Sequence, residues 1–322
     1  MKILVTGGAG FIGSQVTERY IADDHQVLVV DNLVTGKREN LNPRAQFHQM
    51  DIQDPNLEEV FSRERPEVVN HHAAQIDLRK SVEDPLFDAR TNILGMLNLL
   101  EKAVKYGVRR FIFASSGGAI YGDQPFGAVA AKEEDPLRPI SPYGVAKATG
   151  ELYLHYYRVV HGLDSVALRY GNVYGPRQDP FGEAGVVAIF AAKLLSEGQP
   201  TIHGDGLQTR DYVYVEDVVD ANALALNPKA SGSFNIGTGL EKNVNELFWG
   251  LVKITGKSVK EVHGPAKLGE QRRSVLNCSK AQTHLGWRAR VFFEEGLQKT
   301  VEYFAGLHRG DRRGRASRRG LR

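Results

Sequence analysis

Tyr143 and Lys147 stand four residues apart in Ile140-Ser141-Pro142-Tyr143-Gly144-Val145-Ala146-Lys147. Ser141 suits an N-cap and Pro142 the first helical position, so a helix should begin here, with Tyr143 in its first turn and Lys147 over the same face. A phenol ionises near 10, so using its phenolate at neutral pH needs roughly 3 units of help, or about 4 kcal/mol. An ammonium about 4 Å away, at an effective dielectric of about 20, supplies a term of that order, and the positive end of the helix adds to it. The chemistry is proton abstraction by a tyrosinate. A Tyr and a Lys at this spacing also fit an ordinary helix surface, so the elements around them decide.

Residues Lys2–Thr6 read as a short apolar strand that runs into Thr6-Gly7-Gly8-Ala9-Gly10-Phe11-Ile12-Gly13. An amphipathic helix over about 14–21 and a strand over 26–30 follow, which is the context that makes a glycine motif meaningful. Gly8-x-Gly10-x-x-Gly13 and Gly7-x-x-Gly10-x-x-Gly13 are both satisfied. The missing Cβ atoms let backbone amides approach a pyrophosphate at a helix N-terminus. Asp31 ends the second strand, where a carboxylate can accept from both ribose hydroxyls; that favours NAD over NADP, although Lys37 and Arg38 are close by.

Further strands read near 46–50, 67–70, 110–114 and 165–170, separated by helical stretches, one of which spans Asn92 to Tyr106 and ends at Gly107 as a C-cap. Repeated β-α units predict a Rossmann-type, doubly wound parallel sheet with ligands at the carboxyl ends of its strands. Asp51-Ile52 and His71-His72-Ala73-Ala74 fall at two of those ends. No carboxylate or cysteine stands at ligand spacing beside the two histidines, so no metal is expected.

The chain has 322 residues, 42% of them hydrophobic, enough for two domains or one large α/β unit. No apolar run approaches the roughly 18 residues of a membrane span, and Met1-Lys2 leads directly into a strand, so a cytoplasmic protein without membrane contact is expected. The single Cys278 fits a reducing compartment. Net charge is +3, but Arg309 to Arg322 holds seven Arg against one Asp, so the body is acidic and nucleic acid is not an expected partner. Residues 307–322 read as a disordered Arg-rich tail.

Taken together, the chain resembles the extended short-chain dehydrogenases/reductases and, within them, the UDP-glucose 4-epimerase family. The motifs are Thr6-Gly7-Gly8-Ala9-Gly10-Phe11-Ile12-Gly13, Asp31-Asn32, Asp51-Ile52, Asn92, Ser115-Ser116-Gly117-Gly118-Ala119-Ile120-Tyr121-Gly122 and Tyr143-x-x-x-Lys147. Later come Leu168-Arg169-Tyr170-Gly171-Asn172-Val173-Tyr174-Gly175-Pro176-Arg177, Gly204-Asp205-Gly206-Leu207-Gln208-Thr209-Arg210-Asp211-Tyr212 and Asn235-Ile236-Gly237-Thr238-Gly239. The resemblance implies a cofactor domain over 1–171 with a returning segment near 213–237. It also implies a smaller nucleotide-sugar lobe over 172–306, and a homodimer through a four-helix bundle; Ile93, Leu97 and Leu100 suit a packed face there, and would serve an internal core equally.

It further implies NAD held by Gly7, Gly10, Phe11, Ile12, Gly13, Asp31 and Asn32, with Asp51, Ile52, Ala73, Ala74, Asn92, Tyr143, Lys147 and Tyr170 completing the groove. A hydroxyl completes the triad with Tyr143 and Lys147: counting forward from Phe113 gives Ser116, counting backward from Tyr121 gives Gly117, and Ser115 is the fallback. Ser116 is chosen because glycine can do no chemistry there. UDP-hexose would meet Ser116, Tyr143, Asn172 and Arg210. Lys267 and Glu270 replace the commoner Arg and Asp, and the small Ser274 leaves room for a 2-acetamido group. The implied reaction is 4-epimerisation through transient oxidation at C4. The rivals are a UDP-uronic acid epimerase or decarboxylase using Arg177, a dehydratase, disfavoured by Gly117-Gly118 where an acid pair would stand, and a non-catalytic dinucleotide-binding protein.

Overall fold

The computed structural model describes residues 1–181, 185–267 and 271–319, with side chains described as far as His308. Six strands, β1 (Lys2–Thr6), β2 (Gln26–Asp31), β3 (Gln46–Gln49), β4 (Val68–His71), β5 (Arg110–Ser116) and β6 (Asp164–Tyr170), alternate with helices, except that only a short 3-10 turn, Arg38–Asn40, joins β2 to β3. The helices are α1 (Phe11–Ala22), α2 (Leu57–Glu64), α3 (Leu78–Glu83), α4 (Pro85–Ala89), α5 (Gly95–Lys105), α6 (Gly117–Ile120) and α7 (Pro142–His161). The remainder comprises β7 (Asn172–Tyr174), α8 (Val186–Leu195), β8 (Ile202–His203), β9 (Thr209–Tyr214), α9 (Val215–Leu224), β10 (Gly232–Ile236), β11 (Glu241–Asn243), α10 (Val244–Thr255), β12 (His263–Gly264), β13 (Arg273–Ser274) and α11 (Phe293–Arg319).

The main sheet has seven parallel strands in the order β10-β6-β5-β4-β1-β2-β3. Its strands other than the edge strand β3 are largely buried on both faces. Ile3 and Val5 of β1 pack with Val16 and Tyr20 of α1, whereas Leu4 between them packs with Leu99 and Leu100 of α5. Such two-sided burial is what makes these strands read as continuous apolar runs. The strand order reverses at β1, between β4 and β2, which opens a crevice at the carboxyl ends of these strands. A second sheet, β11-β9-β13 with β7 alongside β9, stands after the break in strict alternation.

Two elements differ from expectation. Asn92 does not open an α-helix but lies within a π-helical stretch, Arg90–Leu94, that leads from α4 into α5. The backbone of α11 continues to Arg319, through the stretch that composition reads as a disordered tail; arginine is a good helix former, and no proline interrupts the run. Among the described residues, no helix is long and apolar enough to cross a membrane.

Candidate active site

Helix α7 starts as its sequence requires: Ser141 is extended and its hydroxyl accepts from Gly144 N at 3.1 Å, with Pro142 in the first turn. Tyr143 and Lys147 face β5 from this helix. Lys147 is buried, donates from Nζ to Ala114 O at 2.7 Å, and lies 4.7 Å from the Phe113 ring centroid and 5.6 Å from that of Tyr143. Ser116, the last residue of β5, stands close enough to Tyr143 for its hydroxyl to favour the ionised phenol. The neighbouring Ser115 points elsewhere, its hydroxyl donating to Glu151 Oε1 at 2.6 Å. Of the three residues left open for the hydroxyl position, only Ser116 therefore meets the phenol.

The electrostatics depart from the simple expectation. Burial pushes the Tyr143 phenol up to about 12, against the Ser116 hydrogen bond, which pulls it down. Burial also pulls the Lys147 ammonium down to about 8, against the buried carboxylate of Asp88. Desolvation thus opposes the charged form of both groups in the protein alone.

The glycine cradle is enforced by close backbone contacts. Gly7 has φ +71°, and a Cβ there would stand 2.7 Å from Ala73 N; one on Gly13 would stand 2.2 Å from Gly7 O. Phe11 and Ile12 form the first turn of α1, directly after the loop. Asp31 is buried at the end of β2, where Oδ2 accepts from Ala9 N at 3.0 Å and Oδ1 from Leu33 N at 2.8 Å. Asn32 donates to Asp51 Oδ2 at 2.7 Å, and buried Ile52 lies against Gly95. Asn92 reaches the groove through the loop it holds: it accepts from Gln75 N, donates to Gln75 O, and donates to Asp88 Oδ1. That loop carries Ala73 and Ala74. Tyr170 is buried, its hydroxyl 3.3 Å from His72 Nε2 and accepting from Asn222 Nδ2 at 2.8 Å. His71 pairs with Thr6 Oγ1, and burial holds both histidines well below their usual range, His72 at about 3.

On the other side, β7 carries Asn172 and β9 carries Arg210, which donates from Nη1 to Thr209 O at 2.8 Å. Ser274 of β13 is in register with Arg210 and is buried. A Cβ on Gly118 would meet only Asn172 Oδ1 at 3.4 Å and Ser116 Oγ at 3.9 Å, so the glycine keeps the space between them clear. One on Gly117 would stand 2.7 Å from Leu276 Cδ1 and 3.0 Å from Arg169 O, and neither glycine carries an acid. Lys267 is exposed, and Glu270 lies outside the described residues. Arg177, the candidate partner for a uronate carboxylate, faces α1 instead, donating to Ser14 Oγ and Glu18 Oε1.

Three residues that carry this arrangement were not singled out from sequence. Asp88 and Asp211 had no evident spacing signal. Glu151 did, since it stands four residues past Lys147 on the same helix face; it is clamped between Ser115, Ser233 and Arg169, with Arg169 Nη2 at 2.7 Å.

Residues 3–237 match the NAD dependent epimerase/dehydratase family. The chain belongs to that family. It is 51% identical to a UDP-glucose 4-epimerase of Thermotoga maritima solved with UDP-glucose, with a TM-score of 0.93 and coverage of 95% of this chain and 99% of that one. A UDP-glucose 4-epimerase of Thermus thermophilus solved with NAD is 48% identical, with a TM-score of 0.92 and coverage of 95% and 99%. A UDP-glucose 4-epimerase of Mycolicibacterium smegmatis is 45% identical over 310 residues, 94% of this chain and 98% of that one. The family's cofactor suits the residues present: Gly7 and Gly13 admit no side chain, amides crowd the start of α1, and a carboxylate ends β2.

Proposed function

We propose that this chain is an NAD-dependent 4-epimerase interconverting UDP-glucose and UDP-galactose. The observation that carries the reading is the convergence of Ser116, Tyr143 and Lys147 at the carboxyl ends of β5 and β6, beside the glycine cradle and opposite Asn172 and Arg210. NAD⁺, when bound, would supply a hydride acceptor for C4. Tyr143 takes the proton of the 4-hydroxyl, with Ser116 bonding O4 and passing the proton, and returns it at the end of the cycle. Lys147 sets the polarity of the phenol's surroundings and holds the nicotinamide ribose. Arg210 grips the diphosphate as a fixed, always-charged fork, with Asn172 beside it. The hexose must turn over while the UDP stays anchored, so weak contacts at the sugar and strong ones at the diphosphate are required.

A decarboxylase loses its candidate carboxylate partner because Arg177 is turned to α1, and a dehydratase lacks its acid pair because Gly117 and Gly118 stand in its place. Small Ser274, beside Arg210, leaves the N-acetylhexosamine pair as a further substrate. Residues 1–171 with 213–237 would form the cofactor domain, 172–306 the sugar lobe, and the enzyme would work in the cytoplasm. It would act as a homodimer through α5 and α7. Leu100 serves the core instead, where it is fully buried; the exposed large apolar side chains are Leu94 and, on α7, Val145, Leu152, Tyr156, Val159 and Val160. The test is to incubate the purified protein with UDP-galactose and, separately, with UDP-N-acetylgalactosamine, without added cofactor. UDP-glucose should form with no net reduction and be lost in Tyr143→Phe. An absence of product from UDP-galactose would refute the reading.

A further inference from the structure

Residues 175–179 leave β7 and turn back over the cofactor cradle. Gln178 N donates to Gly175 O at 3.4 Å, closing a turn around Pro176 and Arg177, and Arg177 has φ +68°. Proline at the first central position and a positive φ at the second is the pattern of a type II turn, whose second position favours glycine or asparagine. An arginine there is sterically penalised, and an observed outlier of this kind asks for a functional reason.

The contacts supply one. Arg177 Nη1 donates to Ser14 Oγ at 3.1 Å and Nη2 to Glu18 Oε1 at 2.5 Å, both on α1, the helix that the glycine loop feeds. Gln15 Nε2 of the same helix donates to Pro176 O at 3.0 Å. On the far side, Asp179 lies 3.8 Å from Lys37 Nζ, and the Lys37 amide is bonded to Ala9 O at 2.9 Å. Next to it, a Cβ on Gly36 would stand 2.7 Å from Asp31 Oδ1. Residues 176–179 therefore touch both walls of the cradle: α1 on one side and the loop behind Asp31 on the other. None of these contacts takes part in proton transfer at Tyr143.

We propose that residues 176–179 are a strap that retains the dinucleotide, with Arg177 as the positioning residue that latches it to α1. The strap rests on the NAD reading above. Release of the cofactor then requires the strap to lift from α1.

Arg177→Gly and Arg177→Ala separate the latch from the fold. Glycine relieves the positive φ, so the cofactor-free R177G protein should melt no lower than the parent, whereas a purely structural arginine would leave it less stable. Both variants should release bound NADH, followed by its fluorescence, faster by roughly tenfold or more, the scale of one charge-assisted contact. They should also emerge from gel filtration depleted of NAD, and added NAD should restore their activity. Release at the parent's rate from both variants, with the parent retaining NAD, overturns the strap alone. A parent that holds no dinucleotide overturns the NAD reading and the strap with it. If R177A does not fold, R177G decides. Glu18→Ala, which removes one latch partner from partly exposed ground, should accelerate release in the same direction, and an unchanged rate there counts against the latch.

Discussion

At Lys147, burial and charge pull in opposite directions. The sequence places an ammonium one helical turn from a phenol, which suggests that the lysine alone makes the tyrosine acidic. In the folded chain Lys147 is spent on Ala114 O and desolvated to about 8, while the phenol is pushed up to about 12. Spacing was legible; the cost of dehydrating both groups was not, because it depends on what the tertiary fold packs around them. The consequence is a measurable pH dependence of stability in the cofactor-free protein. Below about 8 both native and unfolded chains hold the Lys147 proton, and above the ordinary value of 10.5 neither does. Between these limits the unfolded chain binds more protons, so this group's contribution to stability rises with pH. Tyr143 acts oppositely, from 10 up to about 12, where the native chain keeps its proton longer. Relative to Lys147→Met, the parent should gain about 3 kcal/mol across the lysine window, read by urea unfolding at matched pH. Parallel pH profiles for the two proteins would show that Lys147 is not desolvated.

Strand β9 carries two neighbours with opposite duties. Arg210 and Asp211 look in sequence like an ion pair, but successive strand residues point to opposite faces, which separates them. Asp211 is fully buried, and its carboxylate accepts from Thr238 N and Oγ1 at 2.7 Å each, Gly239 N at 3.0 Å and Leu276 N at 3.2 Å. It thereby ties the strand bearing Arg210 to the loop after β10 and to the segment after β13. An amide in its place must turn an NH₂ toward N–H donors. Asp211→Asn should therefore cost about 3 kcal/mol in urea unfolding and raise KM for the UDP-sugar more than it lowers kcat. Unchanged stability would mean that the site tolerates a donor, contrary to its geometry. The same strand marks where elements stop being legible. The strands β1, β2 and β4 to β6 announce themselves as largely apolar runs, whereas β7, β8 and β11 to β13, at two or three residues each, are defined only by the partners they meet across long stretches of chain. The π-helical stretch around Asn92 was equally hidden, since its sequence carries ordinary helical residues.

For the whole molecule, the cofactor half could be anticipated because glycine spacing and strand alternation are local signals. Which apolar stripe stays uncovered could not, because helix periodicity marks a buried face without saying what buries it. Leu100 faces the core, while Val145, Leu152, Tyr156 and Val159 remain exposed along α7. Their spacings of seven, four and three residues are those of a packing seam between helices. A contiguous apolar surface of this kind on a folded chain marks an association site. Tyr143 starts the same helix and Lys147 is buried within it, so covering the stripe with a second copy would also hold the turn that bears them in place. Leu152→Glu with Val159→Glu should convert a dimer to a monomer in sedimentation, since each removes about 2 kcal/mol of apolar burial and adds a charge to the interface. The monomer should keep its folded circular dichroism and lose activity in step with dissociation. A parent that already sediments as a monomer, or a double variant that stays dimeric, would place the interface elsewhere.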